Sequence, residues 1–343
     1  MSTRALDSAK PFTLVASNKR LFESFFDPTL ARRLSAVTRW ERNPARTITR
    51  EMRKALSKAE LLITTWDSPS YFDEDVLTWA PGLRMVAHCG GSVKERFARP
   101  LFEHLVIVNA AEPMARGVAE LAVTFLLYLA HDVDRYRELL RRPSNVIYQE
   151  LHLTGGGEHT ILGGEVGMIG FGRIGRAIAE FLAPFGTRLL VHDPYVAPGT
   201  APLSVRFAPL EEVLSASRYL LIAAGLTGET GHMLNRKRLG MLPKGAAVIN
   251  IARGGIIDLD ALTKMVLGGR LRCALDVTDP LEPLPVRHPL RRAQGAILTP
   301  HVGSDSPSVR HEMASELLSD MERFFSGQPV KNRVTVDMLD RMT

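Results

Sequence analysis

The sequence has few cysteines and none of the spacings that build metal sites. Cys89 and Cys273 are the only two in 343 residues, and each lies within an apolar stretch. We therefore expect packed thiols and no disulfide. Because no clustered Cys and His spacing occurs, the sequence also predicts no bound metal.

Long apolar segments are missing as well. No apolar run approaches the roughly 20 residues that are needed to cross a bilayer. The N-terminal MSTRALDSAK also lacks the apolar core of a secretory signal. We therefore expect a soluble, cytoplasmic protein without a membrane partner.

The positive charge of the chain forms no recognisable motif. The net charge is +6, and residues 1–60 hold 13 Lys and Arg against 6 Asp and Glu, a local +7 that leaves −1 for the rest. These basic residues are scattered and match no recognised nucleic-acid motif. A solvated surface is therefore favoured over a nucleic-acid partner.

Short apolar runs alternate with helical patterns along the chain. Strand-like runs in the first third are FTLVA (12–16), ELLITT (60–65), LRMVAH (83–88) and LVIVNA (105–110). This alternation is typical of βαβ units and parallel sheets. A long helical pattern begins at Pro113 and predicts a helix that links two domains, which the chain length also favours.

A second α/β unit opens with the glycine-rich turn GFGRIG, between the strand pattern EVGMIG and the helical pattern RAIAEFLAPFG. Gly170 would permit a tight turn, Gly172 would let the backbone approach a pyrophosphate, and Gly175 would allow close packing of the helix. The helix N-terminus would face the phosphate charge. The alternative is a purely structural glycine turn.

An acid at the tip of the next strand favours dinucleotide binding. The run RLLVHD ends at Asp193, 18 residues past Gly175, where a carboxylate is expected to bind the adenosine ribose hydroxyls. Pro194 and Tyr195 follow, so no Arg is present to receive a 2′-phosphate. The sequence therefore predicts NAD and not NADP.

Three later segments, NIARGG, DVTDPLEPLP and TPHVGS, contain Arg253, Glu282 and His301. We expect all three residues at the carboxyl edge of one parallel sheet, where open α/β folds bind ligands. With these motifs the sequence closely resembles the D-isomer-specific 2-hydroxyacid dehydrogenase family, from about residue 60 to 330. The motifs occur in the family's order.

The resemblance implies an α/β architecture of two Rossmann-like domains, with doubly wound parallel sheets and an active-site cleft between them. The substrate domain would be discontinuous, formed by residues 1–111 and 302–343. The NAD-binding domain would be formed by residues 112–301. The implied activity is NAD-dependent hydride transfer between a small D-2-hydroxy acid and its 2-keto acid.

This reaction needs three functions, and the chain has a candidate for each. A planar guanidinium suits the substrate carboxylate, so Arg253 is the expected anchor. The alkoxide formed by hydride transfer must be protonated near neutral pH, which suits His301 as acid and, in oxidation, as base. In the family a glutamate before a proline partners this histidine, here Glu282. Taken singly, a surface ion pair, a core histidine and a solvated loop acid are the alternatives.

The resemblance implies further contacts. Backbone N–H groups of Gly91, Ser92 and Val93 would bind the substrate carboxylate, unless this is an ordinary strand-to-helix turn. Trp66 would wall the pocket or, alternatively, anchor its own loop. Asp276 would contact the nicotinamide carboxamide. The full set expected to bind the cofactor is Gly170, Gly172, Arg173, Ile174, Gly175, Asp193, Thr227, Ile251, Ala252, Asp276 and Gly303.

Some positions depart from the family's pattern. The first-domain turn reads GGSVKER where relatives commonly read GxGxDxID, so substrate contacts there are expected to differ. Gly225 stands where relatives place a proline, which predicts looser cofactor contact. Glu282, in place of the glutamine of formate dehydrogenases, argues against formate. After residue 330 no regulatory domain is expected, which argues against the longer phosphoglycerate dehydrogenases.

The segment DVTDPLEPLP carries one residue more than relatives with DVTxPEPLP. Counting from Asp276, the usual glutamate position falls on Leu281, which leaves Asp279 and Glu282 as candidates. Glu282 is preferred because the following PLP keeps the family's local context, and because a loop absorbs one residue at little entropic cost.

Two other classes of protein and one assembly state are also considered. An NAD(H)-sensing, corepressor-like binding protein on the same fold is the alternative function, and turnover of 2-keto acids would distinguish it from an enzyme. A nucleic-acid binder using the basic first 60 residues is a weaker alternative. The helix from Pro113 is expected to contribute to a homodimer, as in relatives.

Overall fold

The computed structural model describes residues 10–141, 146–154, 160–196, 199 and 201–342. Its strands are β1 Phe12–Ala16, β2 Arg39–Asn43, β3 Leu61–Thr64, β4 Met85–His88, β5 Val106–Asn109, β6 Glu165–Ile169, β7 Arg188–His192, β8 Val205–Phe207, β9 Tyr219–Ile222, β10 Ala247–Asn250, β11 Arg272–Leu275 and β12 Ala296–Leu298.

Helices lie between most of the strands along the chain. They are α1 Lys19–Phe25, α2 Pro28–Val37, α3 Arg50–Leu56, α4 Val76–Trp79, α5 Leu101–His104, α6 Ala111–Ala130, α7 Val133–Leu140, α8 Val146–Thr154, α9 Arg173–Leu182, α10 Leu210–Ala216, α11 Arg236–Leu239, α12 Leu259–Leu267 and α13 Pro307–Phe325. Short 3-10 helices lie at Ala183–Phe185, Gly254–Ile256, Pro289–Arg292 and Val336–Arg341.

The chain divides into two compact units. The first unit comprises Met1–Gly117 and Ser304–Thr343, and the second unit comprises Val118–Gly303. The boundaries expected after residues 111 and 301 lie a few residues before these. The first boundary falls within α6, which begins at Ala111, two residues before the start predicted at Pro113.

The first unit is built on a five-stranded sheet in the order β2-β1-β3-β4-β5, with every pair parallel. The four strands expected in the first third of the chain are confirmed as β1, β3, β4 and β5. No apolar run in the sequence predicts β2, because its segment RWERN is polar and partly exposed. It forms an edge, where polar side chains can reach water.

Both faces of the first sheet are covered by apolar side chains. On one face α1 and α13 pack against the strands, with Phe22 and Phe25 meeting Leu317 and Met321. Arg33 of α2 joins α13 through Nε and Nη2, which donate to the two carboxylate oxygens of Glu322 at 2.7 Å each. The C-terminal helix therefore belongs to the same fold as the N-terminal strands.

The second unit is built on a seven-stranded sheet in the order β12-β11-β10-β9-β6-β7-β8, again with every pair parallel. The strand order reverses between β6 and β9. Ligands bind at such a switch point, outside the carboxyl ends of the strands. The predicted α/β class with doubly wound parallel sheets is confirmed.

Helix α6 is the longest helix in the described residues. It is long and apolar enough to cross a membrane, although 61% of its apolar stretch is buried within the protein. The sequence predicts no membrane span here, because Glu112, Arg116 and Glu120 interrupt the apolar residues. A buried core helix meets the same criteria.

Candidate active site

The glycine-rich turn connects β6 to α9 at the switch point of the second sheet. Gly170 has a φ of 91°, and a Cβ there would lie 2.6 Å from the backbone of Ala224. Only glycine satisfies both conditions. A Cβ at Gly175 would lie 2.6 Å from the carbonyl oxygen of Gly170, so helix and turn are packed closely.

Gly172 differs from Gly170 and Gly175, because a Cβ there would meet no atom within 4 Å. It precedes α9 and supplies no side-chain cap for the backbone N–H groups of the first turn. Arg173 and Ile174 begin this helix. A helix N-terminus preceded by a glycine that has open space and no capping side chain suits a pyrophosphate. The turn therefore fits a dinucleotide.

Asp193 follows β7 and holds this turn. One carboxylate oxygen accepts from the N–H of Phe171 at 2.7 Å and the other accepts from the N–H of Tyr195 at 2.9 Å. Tyr195 in turn donates its hydroxyl to Glu229 at 2.7 Å. The acid thus contacts the glycine-rich turn, the position that the dinucleotide fingerprint gives to an acid.

The loop after β9 forms a closed turn around Thr227. The N–H of Thr227 donates to Oγ1 of Thr230 at 2.8 Å, and that hydroxyl donates to the carbonyl of Gly225 at 2.6 Å. These bonds stabilise the loop around Gly225, the position where the sequence predicts looser contact with the cofactor. Thr227 therefore has a defined position at the carboxyl edge of the sheet.

Arg253 follows β10 in a turn that Asn250 stabilises. The side chain of Asn250 is fully buried, donates to the carbonyl of Arg253 at 2.9 Å and accepts from the N–H of Ala252 at 3.1 Å. Ile251 and Ala252 are themselves buried. Nη1 of Arg253 donates to the carbonyl of Ala252 at 2.7 Å, which directs the guanidinium.

His301 and Glu282 are brought together from two different loops. Nδ1 of His301 contacts Oε1 of Glu282 in a short hydrogen bond, and the two side chains are 51% and 32% exposed. Asp279 makes no hydrogen bond or ion pair in the parts of the chain that the structure describes. Leu281 is exposed, and its carbonyl accepts from Thr278 Oγ1 at 2.6 Å.

His301 has a φ of 58°, which a non-glycine residue adopts only where its surroundings impose it. Asp276, 2% exposed, provides those surroundings. Its carbonyl accepts from the N–H of His301 at 2.9 Å, and its carboxylate accepts from Thr299 Oγ1 at 2.6 Å, Val302 N at 2.9 Å and Gly303 N at 3.1 Å. Asp276 and Gly303 therefore belong to the turn that holds the imidazole.

The first unit holds the remaining candidates, after β3 and β4. In the part of the chain that the structure describes, the backbone N–H groups of Gly91, Ser92 and Val93 donate no hydrogen bond. The carbonyl of Gly91 accepts from Nδ2 of Asn109 at 2.6 Å. Three successive backbone N–H groups that donate no hydrogen bond can bind an anion.

Trp66 is partly buried and packs against two side chains. Its ring lies edge-on to Phe25 with centroids 5.1 Å apart, and the guanidinium of Arg310 lies 4.8 Å from its centroid. This packing supports the interpretation of Trp66 as an anchor of its loop. Its predicted contact with substrate stays a prediction.

Two residues that hold the site are missed by the sequence analysis. Asn250 ends a buried strand, and Thr299 follows β12 by one residue. A polar residue at the end of an apolar run is a signal for such a role, although the partner in the other loop cannot be read from the sequence.

A parallel sheet with an open glycine turn at its switch point, and with an acid at the next strand tip, defines a dinucleotide-binding α/β protein. The model of the "D-isomer specific 2-hydroxyacid dehydrogenase, NAD binding domain" matches residues 123–303, more than half of the chain. The chain therefore belongs to the D-isomer-specific 2-hydroxyacid dehydrogenase family, which confirms the resemblance and the predicted cofactor, NAD.

Similar proteins support the same family. The chain is 28% identical over 304 residues to the D-3-phosphoglycerate dehydrogenase of Mycobacterium leprae, covering 87% of this chain and 55% of that protein. It thus spans about half the length of that curated relative. It is 31% identical over 267 residues to the glyoxylate reductase of Thermococcus gammatolerans, covering 75% and 77% of the two chains.

A solved structure covers nearly the whole chain. The TT0316 protein of Thermus thermophilus has a TM-score of 0.74 and 28% identity, over 94% of this chain and 100% of that one. The likeness therefore includes the sheets of both units.

Proposed function

We propose that the chain is an NAD-dependent oxidoreductase that interconverts a small D-2-hydroxy acid and its 2-keto acid. The contact between His301 and Glu282 carries the proposal, because a carboxylate-paired imidazole at the carboxyl edge of an NAD-binding sheet is suited to proton transfer. The identity of 31% to a glyoxylate reductase supports the same chemistry.

His301 is the proposed acid and base. Because Nδ1 contacts Glu282, Nε2 is the ring nitrogen that can reach a substrate. In reduction it donates a proton to the carbonyl oxygen, and in oxidation it accepts the hydroxyl proton. The negative charge of Glu282 stabilises the protonated imidazole and fixes the orientation of the ring. The turn around Asp276 sets the position of His301.

Arg253 is the proposed anchor of the substrate carboxylate. Its planar, permanently charged guanidinium can form two parallel hydrogen bonds with a carboxylate. The buried Asn250 stabilises the turn that carries it. Bound NAD(H) supplies or takes up the hydride, and the residues of the glycine turn with Asp193 are proposed to hold it.

The contacts predicted in the first unit are part of this proposal. The undonated N–H groups of Gly91, Ser92 and Val93 support their proposed role toward a carboxylate. A homodimer involving α6, a cytoplasmic location, and the absence of nucleic-acid and membrane partners remain predictions of the sequence analysis.

The test is NADH oxidation by the purified chain against glyoxylate, hydroxypyruvate, pyruvate, phenylpyruvate and branched 2-keto acids. We expect steady turnover with at least one of them. Binding of NADH without oxidation in the presence of every acid would overturn the enzyme proposal and favour an NAD(H) sensor.

A further inference from the structure

Arg96, in the loop that follows β4, carries a charge that the described part of the chain does not pair. The side chain is half-buried, and it makes no hydrogen bond and no ion pair with any described residue. Removing a guanidinium from water without a partner is unfavourable. An anionic ligand at this position would remove that cost.

The backbone holds Arg96 in place. Its N–H donates to the carbonyl of Val93 at 3.2 Å, and its carbonyl accepts from the N–H of Phe72 at 2.8 Å. The next residue, Phe97, is 2% exposed and stacks on Phe72 with ring centroids 5.5 Å apart. The loop is therefore anchored on the core at the residue where the guanidinium begins.

Arg96 lies eight residues after His88, the last residue of β4, in the loop at the carboxyl end of that strand. Burial first, and then the charge of Arg96, lower the pKa of His88 at the end of β4 to about 3. Burial lowers the pKa of Arg96 itself, while the charge of Asp67 acts in the opposite direction.

Asp67 does not neutralise Arg96 by contact, because its carboxylate is already occupied. It accepts from the hydroxyls of Ser17 at 2.9 Å and Thr65 at 2.5 Å, and from the N–H of Asn18 at 2.9 Å and its side-chain amide. These bonds tie the loop after β3 to the loop after β1. Arg96 thus retains its donors for a ligand.

A second group of donors lies in the same loop. The N–H groups of Gly91, Ser92 and Val93 precede Arg96 by three to five residues and donate no hydrogen bond within the described residues. One anionic group suffices for three adjacent N–H groups. A simple 2-keto acid carries only one carboxylate, which these N–H groups can bind. The guanidinium of Arg96 is therefore available for a second anionic group.

We propose that Arg96 is a specificity residue that binds a second anionic group, a carboxylate or a phosphate, on the side chain of the 2-keto acid substrate. This inference rests on the proposed function and adds the substrate class to it. The enzyme would therefore prefer 2-keto acids whose side chain ends in a negative charge over neutral acids of equal length.

Matched substrates test this preference. NADH oxidation is measured with 2-oxoglutarate against 2-oxopentanoate, and with 3-phosphohydroxypyruvate against hydroxypyruvate, so that the two arms distinguish carboxylate from phosphate. We expect kcat/KM to be at least about tenfold higher for the charged member of one pair. Equal values, or a preference for the neutral member in both pairs, would overturn the proposal.

Variants of the same loop assign the effect to Arg96. Arg96→Gln should lower kcat/KM for the charged acid by about tenfold to a hundredfold and leave the neutral acid within about threefold. Arg96→Lys should recover part of the loss. Arg99→Gln is the matched control, since Arg99 is exposed and already pairs with Asp340 at 3.1 Å. An equal loss for both acids in Arg96→Gln would contradict a specificity role.

Binding separates this inference from the proposed function. Calorimetric titration of the full chain with the charged acid, in the presence of NAD, requires no turnover. Binding that Arg96→Gln weakens, without NADH oxidation by any acid, would uphold the anion site and refute the enzyme proposal. Turnover of neutral acids with no Arg96-dependent binding would refute the anion site alone. Circular dichroism of each variant verifies its fold.

Discussion

At the scale of single residues, two nearby acids have different surroundings. Glu282 contacts the imidazole of His301, whereas Asp279 has no such partner among the described residues. Leu281, which the sequence predicts to be an additional residue, is exposed to solvent, and Glu282 directly after it contacts the histidine. This geometry supports the preference for Glu282 that the sequence predicts.

Glu282→Gln tests the proposed partnership. The variant keeps the size of the side chain but removes the negative charge that stabilises the protonated imidazole of His301. The upper pH limb of reduction should therefore move to lower pH, and kcat/KM at neutral pH should fall about tenfold or more, while oxidation suffers less. The measurement is the pH profile of kcat/KM in both directions.

Asp279→Asn is the matched control for Glu282→Gln. It changes an acid three positions away, and its pH profile should follow that of the wild type. If the upper pH limb of reduction moves only in Asp279→Asn, Glu282 is not the partner of His301.

Asp193 predicts the choice of cofactor. Its carboxylate should repel the 2′-phosphate of NADPH, so kcat/KM with NADH should exceed that with NADPH by at least about tenfold. Asp193→Asn keeps an oxygen that accepts from one of the two N–H groups bound by the acid. Because it removes the negative charge, it should reduce the ratio of kcat/KM with NADH to kcat/KM with NADPH. Equal use of both cofactors by the wild type would remove this role.

At the scale of elements, β4 ends in a buried histidine beneath the loop that carries Arg96. His88 is 1% exposed, and its Nδ1 lies 2.9 Å from the hydroxyl of Thr64. A Cβ at Gly90 would lie 2.4 Å from its Nε2, so the loop closes tightly over the ring. This close packing keeps the imidazole neutral.

His88 predicts a pH-dependent stability of the first unit. Burial, aided by Arg96, lowers its pKa from 6.5 to about 3 in the folded state, so the unfolded chain binds the additional proton between these values. The stability from neutral His88 is complete above about pH 6.5. It should decrease as the pH falls toward 3, by up to about 1.4 kcal/mol per pH unit.

Urea unfolding between pH 7 and pH 4 measures this effect. The three tryptophans, Trp40, Trp66 and Trp79, all lie in the first unit, so their fluorescence reports on its unfolding. His88→Gln should flatten the dependence on pH, whereas the exposed His104→Gln should not. If the free energy of unfolding changes with pH to the same extent in the wild type and in His88→Gln, the prediction is contradicted.

Strand elements were predictable where their side chains are buried on both faces. β1, β3, β4, β5, β6 and β7 are apolar runs between turn signals, which is the pattern of buried parallel strands whether or not they lie at an edge. β2 and β8 lie at edges, are polar or short, and give no such pattern. Their pairing depends on neighbours distant in sequence, which no local pattern contains.

The site was predictable in its chemistry and less so in its supports. Arg253, Glu282 and His301 stand out as residue types within motifs. The roles of Asn250 and Asp276 depend on contacts between loops, such as the bond between Asp276 and Thr299, 23 residues apart. A single sequence does not reveal such pairs.

At the scale of the whole molecule, each unit presents polar groups at the carboxyl edge of its own parallel sheet. In the second unit these are the glycine turn, Asp193, Arg253 and the pair of His301 and Glu282. In the first unit they are the N–H groups of residues 91–93 and the guanidinium of Arg96. The proposed reaction requires a proton donor, anion-binding groups and a hydride carrier, and these groups are suited to supply the first two.

Transfer of deuterium from the cofactor to the substrate tests the proposed function most directly. The wild-type chain is incubated with NADH deuterated at C4 of the nicotinamide and with the 2-keto acid that it reduces best, and the product is resolved by chiral chromatography and mass spectrometry. We predict a D-2-hydroxy acid with one deuterium at C2. An L or racemic product, or a product without deuterium from either face of the nicotinamide, would contradict direct hydride transfer to a D-2-hydroxy acid.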